Sequence, residues 1–134
     1  MADRIELVDA SGPVSPRFQH ATTIAIESAD GGAPAAWTRD HRDAAGATRA
    51  TGTLTRAAFD ELVAAIAREI APGTTLDLVG AKRGNVGVAF NHIEVACGGV
   101  TTRVDYLPSH ADADHGDSRV RAIIAAITAA LDRT

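Results

Sequence analysis

The dipeptide Gly98-Gly99, which stands between two stretches of alternating residues, constrains the fold more than any other feature of the sequence. A two-residue type I′ turn needs a positive φ angle at both positions, and glycine adopts such angles without steric cost. Folding the chain about this turn places Glu94 opposite Arg103 and His92 opposite Asp105. Because both pairs are complementary in polar character, the sequence predicts an antiparallel hairpin with this register.

Two stretches with apolar residues at three- and four-residue spacing predict amphipathic helices, one before and one after this hairpin. Thr55 is suited to cap the first helix, which Pro72-Gly73 should stop, and Asp117 or Ser118 is suited to cap the second. The residues expected to face the core are Phe59, Leu62, Val63, Ile66 and Ile70 in the first helix, and Val120, Ile123, Ile124, Ile127 and Leu131 in the second.

Shorter alternating segments predict the remaining strands. They lie around Ile5 and Leu7, at 18–26, from Trp37 onward, at 51–54 and at 74–79. The order of strands, helix, strands and helix contains no internal repeat and no linker, which predicts a single compact domain over residues 1–134. We expect an α+β fold, in which a mostly antiparallel sheet of five to seven strands has two helices packed on one face.

The composition excludes several classes of function. The chain has 134 residues, of which 46% are hydrophobic and 22% are charged, and its formal charge is −4. Because it contains no block of five or more like charges, we expect neither nucleic acid nor a membrane as a partner. The single cysteine, Cys97, excludes an intrachain disulfide and a zinc site made of several cysteines. The charged N-terminus lacks the apolar core of a signal peptide, which favours a cytoplasmic location.

The polar face of the predicted hairpin carries one candidate pocket. A carboxylate such as Asp105 beside His92 can orient the imidazole for general base catalysis or ligand binding, and Glu94 and Arg103 extend the cluster. Phe90 and Tyr106 are the aromatic residues that could help to define this pocket, although Tyr106 belongs to the opposite parity of its strand. The register places no convincing nucleophile beside His92, and a solvated cross-strand pair is the alternative interpretation. A small-ligand-binding protein or enzyme that uses this pocket is therefore one hypothesis for function.

A second cluster of titratable residues lies at 110–117, where two histidines and three aspartates occur within eight residues. Such side chains can bind a divalent cation, but the segment lacks the spacing of a calcium loop and its closing glutamate. The aspartates also suit a linker before the N-terminus of the second helix, where negative charge is favourable. We therefore expect no metal and no cofactor.

A run of mixed charge near the only tryptophan is the candidate recognition surface. It consists of Trp37, Arg39, Asp40, His41 and Arg42, which we expect near the tip of a hairpin. Arginine and tryptophan often anchor protein interfaces, and no residues in the chain form a coherent catalytic set. The leading hypothesis is a non-enzymatic module that binds an unidentified protein partner. A structural homo-oligomer, formed through an exposed sheet face or edge, is the third hypothesis.

The strand that ends in Ser11-Gly12 begins an arrangement that resembles the emfourin family, a group of small cytoplasmic protein inhibitors of thermolysin-like metalloproteases. The resemblance continues in the order of elements, because Thr53-Leu54-Thr55 leads into the first helix and a hairpin and a terminal helix follow. It implies protein binding directed at a protease. Pro13 stands where the family pattern has a second glycine, and the resemblance assigns no inhibitory residue.

Overall fold

The computed structural model describes residues 2–11, 19–29, 32–80 and 91–134, which form one sheet and two helices. The strands are β1 (Asp3–Ala10), β2 (Ala21–Ser28), β3 (Ala35–Asp43), β4 (Gly46–Leu54), β5 (Thr75–Asp77), β6 (Asn91–Cys97) and β7 (Val100–Tyr106). The helices are α1 (Arg56–Glu69) and α2 (Ser118–Asp132). The seven strands lie in the order β4-β3-β2-β1-β6-β7-β5, and each neighbouring pair is antiparallel except the parallel β5–β7 pair. The predicted α+β fold is confirmed.

The β6–β7 hairpin has the predicted register. The glycines of Gly98-Gly99 have φ angles of 61° and 78°, as a two-residue turn of this kind requires. His92 pairs with Asp105, and Glu94 pairs with Arg103. Because side chains alternate along a strand, these four polar residues share the face of the sheet that is opposite the helices.

Side chains fix where both helices begin. The Thr55 hydroxyl accepts a hydrogen bond from the Ala58 N–H at 3.1 Å, which confirms the predicted cap of α1. The Asp117 carboxylate accepts a hydrogen bond from the Arg119 N–H at 2.9 Å, so Asp117 rather than Ser118 caps α2. Neither of these helices is long and apolar enough to span a bilayer.

The core lies between the helices and one face of the sheet. Each central strand supplies every second residue to it, because the side chains of a strand alternate between faces. The buried residues of these strands are Ile5 and Leu7, Ile24 and Ile26, Ile93 and Val95, and Val104 and Tyr106. The buried helix residues are Phe59, Leu62 and Ile66 in α1, and Val120, Ile123, Ile127, Ala130 and Leu131 in α2. The predicted core residues Val63 and Ile124 are only partly buried and pack at the margin.

A buried ion pair fastens α1 to the centre of the sheet. Asp3 in β1 is 6% exposed, and its Oδ2 accepts a hydrogen bond from Arg56 of α1 at 2.8 Å. Its Oδ1 accepts a hydrogen bond from the Gly98 N–H at 3.1 Å. The hydrogen bond from Arg56, followed by the one from Gly98, lowers the pKa of Asp3. One carboxylate therefore joins β1, α1 and the β6–β7 turn.

Candidate functional site

The imidazole of His92 is bound from β1 rather than from the opposite residue in β7. His92 Nε2 lies 2.6 Å from Glu6 Oε1, and Asp105 accepts a hydrogen bond from Arg103 at 3.0 Å instead. The predicted contact between His92 and Asp105 is thus replaced, although the two residues are opposite each other. The physical reason is that β6 lies between β1 and β7, so a carboxylate from the strand on its other side reaches the imidazole.

Arg103 connects the other predicted pocket residues on the face of the sheet opposite the helices (the open face). Its guanidinium donates a hydrogen bond to Glu94 at 2.8 Å across the β6–β7 pair. A second hydrogen bond runs to Asp105 on the same strand. These two carboxylates raise the pKa of Arg103, with the Asp105 hydrogen bond as the larger cause. One guanidinium thus bridges two carboxylates on adjacent strands.

Arg4 forms the matching connection on β1. Its guanidinium contacts Glu6 on the same strand and Glu27 on β2. The hydrogen bond from His92, followed by the one from Arg4, lowers the pKa of Glu6. These contacts link β2, β1, β6 and β7 on the face of the sheet opposite the helices, and they hold the His92 imidazole against the Glu6 carboxylate.

Tyr106, one of the two aromatic residues expected near this pocket, lies on the other side of the sheet. It is fully buried in the core, and its hydroxyl donates a hydrogen bond to Asp9 Oδ1 at 2.7 Å. Burial raises the pKa of the Tyr106 phenol far above its ordinary range, so it stays a hydrogen-bond donor. The other aromatic residue, Phe90, lies outside the described residues.

The predicted recognition residues lie within strand β3, not at the hairpin tip that follows it. Strand alternation places Trp37, Arg39 and His41 on the helix side and Asp40 and Arg42 on the open face. Trp37 is 5% exposed, so its ring packs in the core and offers little surface to a partner. The five residues therefore do not form one continuous surface, because they lie along an extended strand and not at the tip of the hairpin.

The indole of Trp37 crosses from β3 onto β4 at Gly52. These residues are opposite each other, and a Cβ atom at Gly52 would lie 2.5 Å from Trp37 Cζ2. Only glycine therefore lets the ring approach the strand this closely. Trp37 Nε1 is buried and has no hydrogen-bond partner among the described residues. Arg39 lies over the same ring, with its guanidinium carbon 5.7 Å from the ring centre.

The two edges of the sheet differ in length. The edge strand β4 has nine residues, whereas the opposite edge strand β5 has three. β3 pairs with one side of β4, and in the described part of the chain no strand pairs with the other side. Apart from Leu54, the residues of β4 are exposed or partly buried, and seven of its nine residues are glycine, alanine or threonine. The free N–H and C=O groups of such an edge can pair with another strand.

A groove lies on the helix side of the sheet, between α2 and the ends of β1, β2 and β3. It consists of two adjoining cavities of about 360 and 580 Å³, which share Asp9, Ile124 and Thr128. Apolar walls with a few polar groups are typical of ligand sites. No local sequence pattern points to Asp9, because its place beside α2 depends on the order of the strands.

A hydrogen-bonded chain of three side chains stands at one end of this groove. Thr22 Oγ1 lies 2.8 Å from His41 Nδ1, and His41 Nε2 lies 3.2 Å from Asp43 Oδ2. A neutral imidazole that donates from Nε2 to Asp43 accepts the Thr22 hydroxyl hydrogen at Nδ1. The chain thus fixes the orientation of His41 and joins β2 to β3.

Carboxylates of the 110–117 segment accept hydrogen bonds from backbone N–H groups. Asp112 accepts hydrogen bonds from the N–H groups of Asp114 and His115 at 2.8 and 3.1 Å, and these bonds lower the pKa of Asp112. His110 Nδ1 accepts the Leu107 N–H at 2.9 Å. Within the described residues, no three histidine, cysteine, aspartate or glutamate side chains are grouped so that they could hold a metal ion.

Comparison of the chain with protein-family models, with curated proteins and with solved structures finds no match. The resemblance to the emfourin family therefore stays a prediction. Among the described strands, β4 is the longer of the two edge strands, and no described strand pairs with its outer side.

Proposed function

We propose that this chain is a non-enzymatic protein-binding module that takes up an extended segment of a partner protein along the outer side of β4. The observation that carries this proposal is the nine-residue edge strand, whose outer side pairs with no strand of the described chain. In strand addition, main-chain hydrogen bonds supply the affinity, and alternate side chains supply the specificity.

The composition of β4 supports this role. Proteins commonly protect edge strands with proline, with several charged side chains or with a bulge. β4 contains no proline, its only charged residue is Arg49, and its register with β3 runs without interruption from Gly46 to Leu54. Its small side chains leave room, on both faces of the sheet, for the side chains of a strand that pairs with β4.

A cytoplasmic location and a protease as the partner are narrower parts of the proposal. The resemblance to the emfourin family suggests a thermolysin-like metalloprotease. Peptide hydrolysis by thermolysin, measured with and without an excess of the purified chain, tests this suggestion. An unchanged rate removes thermolysin itself and leaves the edge-binding proposal in place, since that proposal depends on β4 alone.

Position-specific photocrosslinking in cells of the source organism tests the proposed function. A photoreactive amino acid replaces Thr51, which is exposed on β4, and a matched variant carries it at Thr101, which is exposed on the same face in β7. We expect a crosslink to one other polypeptide from position 51 and none to that polypeptide from position 101.

Three results contradict the proposal. Equal crosslinking from both positions places the interface elsewhere, and the absence of a specific product at position 51 means that the edge has no partner. Crosslinking only to a second copy of the chain supports the homo-oligomer instead. Analytical ultracentrifugation of the purified chain then measures the mass of that assembly.

A further inference from the structure

We infer that the segment that pairs with β4 is acidic, with carboxylate side chains on both of its faces; this inference rests on the proposed function. Four side chains flank the edge: Trp37 and Arg39 on the helix side, and Arg42 and Arg49 on the opposite face. On each face of the sheet they offer hydrogen-bond donors or positive charge beyond what the described residues use.

On the helix side, two donors lie beside the small residues of β4. The Trp37 Nε1–H is buried without a partner and lies 2.7 Å from where a Cβ atom of Gly52 would be. A buried donor without a partner is unfavourable, and an oxygen supplied by a bound segment would remove that cost.

Arg39 is the second donor on this side. It pairs across β3–β4 with Ala50, which has only a methyl side chain. One of its nitrogens donates to Asp132 of α2 at 3.1 Å, and the guanidinium is stacked on Trp37. Its side chain keeps 28% of its surface exposed. A planar guanidinium held by stacking at one face is well placed to bind a second carboxylate.

On the open face, Arg49 and Arg42 provide positive charge. The Arg49 Nε lies 3.6 Å from Asp40, and each of the two side chains is more than half exposed. Arg42 is exposed and forms no ion pair with any described residue. Exposed ion pairs of this kind contribute little to stability, so Arg49 can exchange Asp40 for a carboxylate on a docked strand at little cost.

The charge balance of the β3–β4 hairpin agrees with this assignment. Residues 35–54 contain three arginines and two aspartates, whereas the whole chain has an excess of four negative charges. The edge is therefore a positively charged stretch on an acidic protein. A segment rich in Asp or Glu is attracted to the edge and repelled by much of the remaining surface, which favours this docking position.

Synthetic strands test the inference on the purified full-length chain. The acidic probe is a nine-residue peptide in which valine and threonine alternate around three glutamates, and the matched control has lysine at those three positions. Neither contains tryptophan, so the emission of Trp37, the single tryptophan, reports binding near Gly52. Amide hydrogen exchange across β4 reports pairing of the backbone.

We expect the acidic peptide to bind at least tenfold more tightly than the lysine peptide at low salt, with slower exchange in β4 and a change in Trp37 emission. Arg49→Glu should weaken binding of the acidic peptide at least fivefold. The control variant Arg68→Glu makes the same change of charge in the last turn of α1, on the far side of the fold, and should leave the affinity within twofold.

The remaining outcomes separate the two proposals. If both peptides slow exchange in β4 equally, the edge accepts strands but the acidic preference is wrong. If millimolar acidic peptide changes neither β4 exchange nor Trp37 emission, both the acidic segment and strand addition at β4 are wrong. Equal weakening by Arg49→Glu and Arg68→Glu also contradicts the inference, because it assigns the effect to net charge alone.

Discussion

The two edges of the sheet show how differently one chain can treat the same structural problem. β5 presents only three residues, and its neighbour β7 continues beyond it at both ends. β4 presents nine residues and is matched to β3 along its full length. A short edge gives an incoming strand little to pair with, whereas β4 offers roughly 30 Å of backbone. This difference favours β4 over β5 as the edge at which a partner strand would dock. We expect the stability of the fold to depend chiefly on the rest of the sheet.

The largest effect on stability is expected at the centre of the sheet, away from β4. Asp3→Ala leaves Arg56 without its buried carboxylate and the Gly98 N–H without its acceptor. We expect a loss of about 3 kcal/mol in the free energy of unfolding, measured by urea denaturation. Asp132→Ala removes an exposed carboxylate paired with Arg39 and is the matched control, with a loss below about 1 kcal/mol. Similar losses in both variants would contradict the expectation that Asp3 contributes more to stability than the exposed Asp132.

The next effect concerns the one position of β4 that is tightly packed. Gly52→Ala places a methyl group where the Trp37 ring lies, so the ring or the strand must move. We expect a loss of about 1–3 kcal/mol in stability and a change in Trp37 emission. Thr51→Ala, on the open face of the same strand, should leave both unchanged. A stable Gly52→Ala variant with unaltered emission would mean that the ring does not pack on this glycine.

A pH effect should arise at the centre of the open face rather than at the edge. Contacts with His92 and Arg4 lower the pKa of Glu6 below its usual value of 4.5, so ionised Glu6 favours the folded state. This contribution is present above the pKa of the unfolded chain and is lost as the pH falls through it and then through the lowered folded value. Wild-type protein should therefore lose more stability than Glu6→Gln between about pH 6 and about pH 3. Equal losses would show that Glu6 is not held in this way.

The smallest effect on stability is expected from the charged residue of the edge. Arg49→Ala removes an exposed pair with Asp40 and should change the free energy of unfolding by less than about 0.5 kcal/mol. The same variant should bind the acidic peptide more weakly, since Arg49 flanks the docking position. A loss of stability above about 1 kcal/mol would mean that β4 depends on this pair and that the edge is not free to exchange it.

The sequence predicted those parts of the fold that depend on local patterns. The register of the β6–β7 hairpin follows from the two glycines and from period-two alternation, and the helix stripes follow from three- and four-residue spacing. The sequence did not distinguish Asp117 from Ser118 as the cap of α2, because both residue types suit that position. β4 begins at Gly46, earlier than the predicted 51–54, since alanine and glycine give a weak strand signal.

The candidate site was less predictable, because it depends on the order of strands. The pairing of β1 with β6 joins segments more than 80 residues apart, as in the contact between Glu6 and His92, and no periodicity reports it. The recognition residues were predicted as one surface because their mixed charges suggested a position near the tip of a hairpin. Once the segment is a strand, alternation divides them between two faces and buries Trp37. An edge is likewise a property of the assembled sheet and has no sequence signal of its own.

Amide hydrogen exchange on the isolated, monomeric chain tests the central claim most directly. In an antiparallel edge strand, about half of the N–H groups point to the neighbour and the rest point outward. The account predicts alternating slow and fast exchange along Gly46–Leu54, while the central strands β1 and β6 are protected throughout. Uniformly slow exchange along β4 in a monomer would show that the edge is already covered, and would contradict the proposal that it receives a partner.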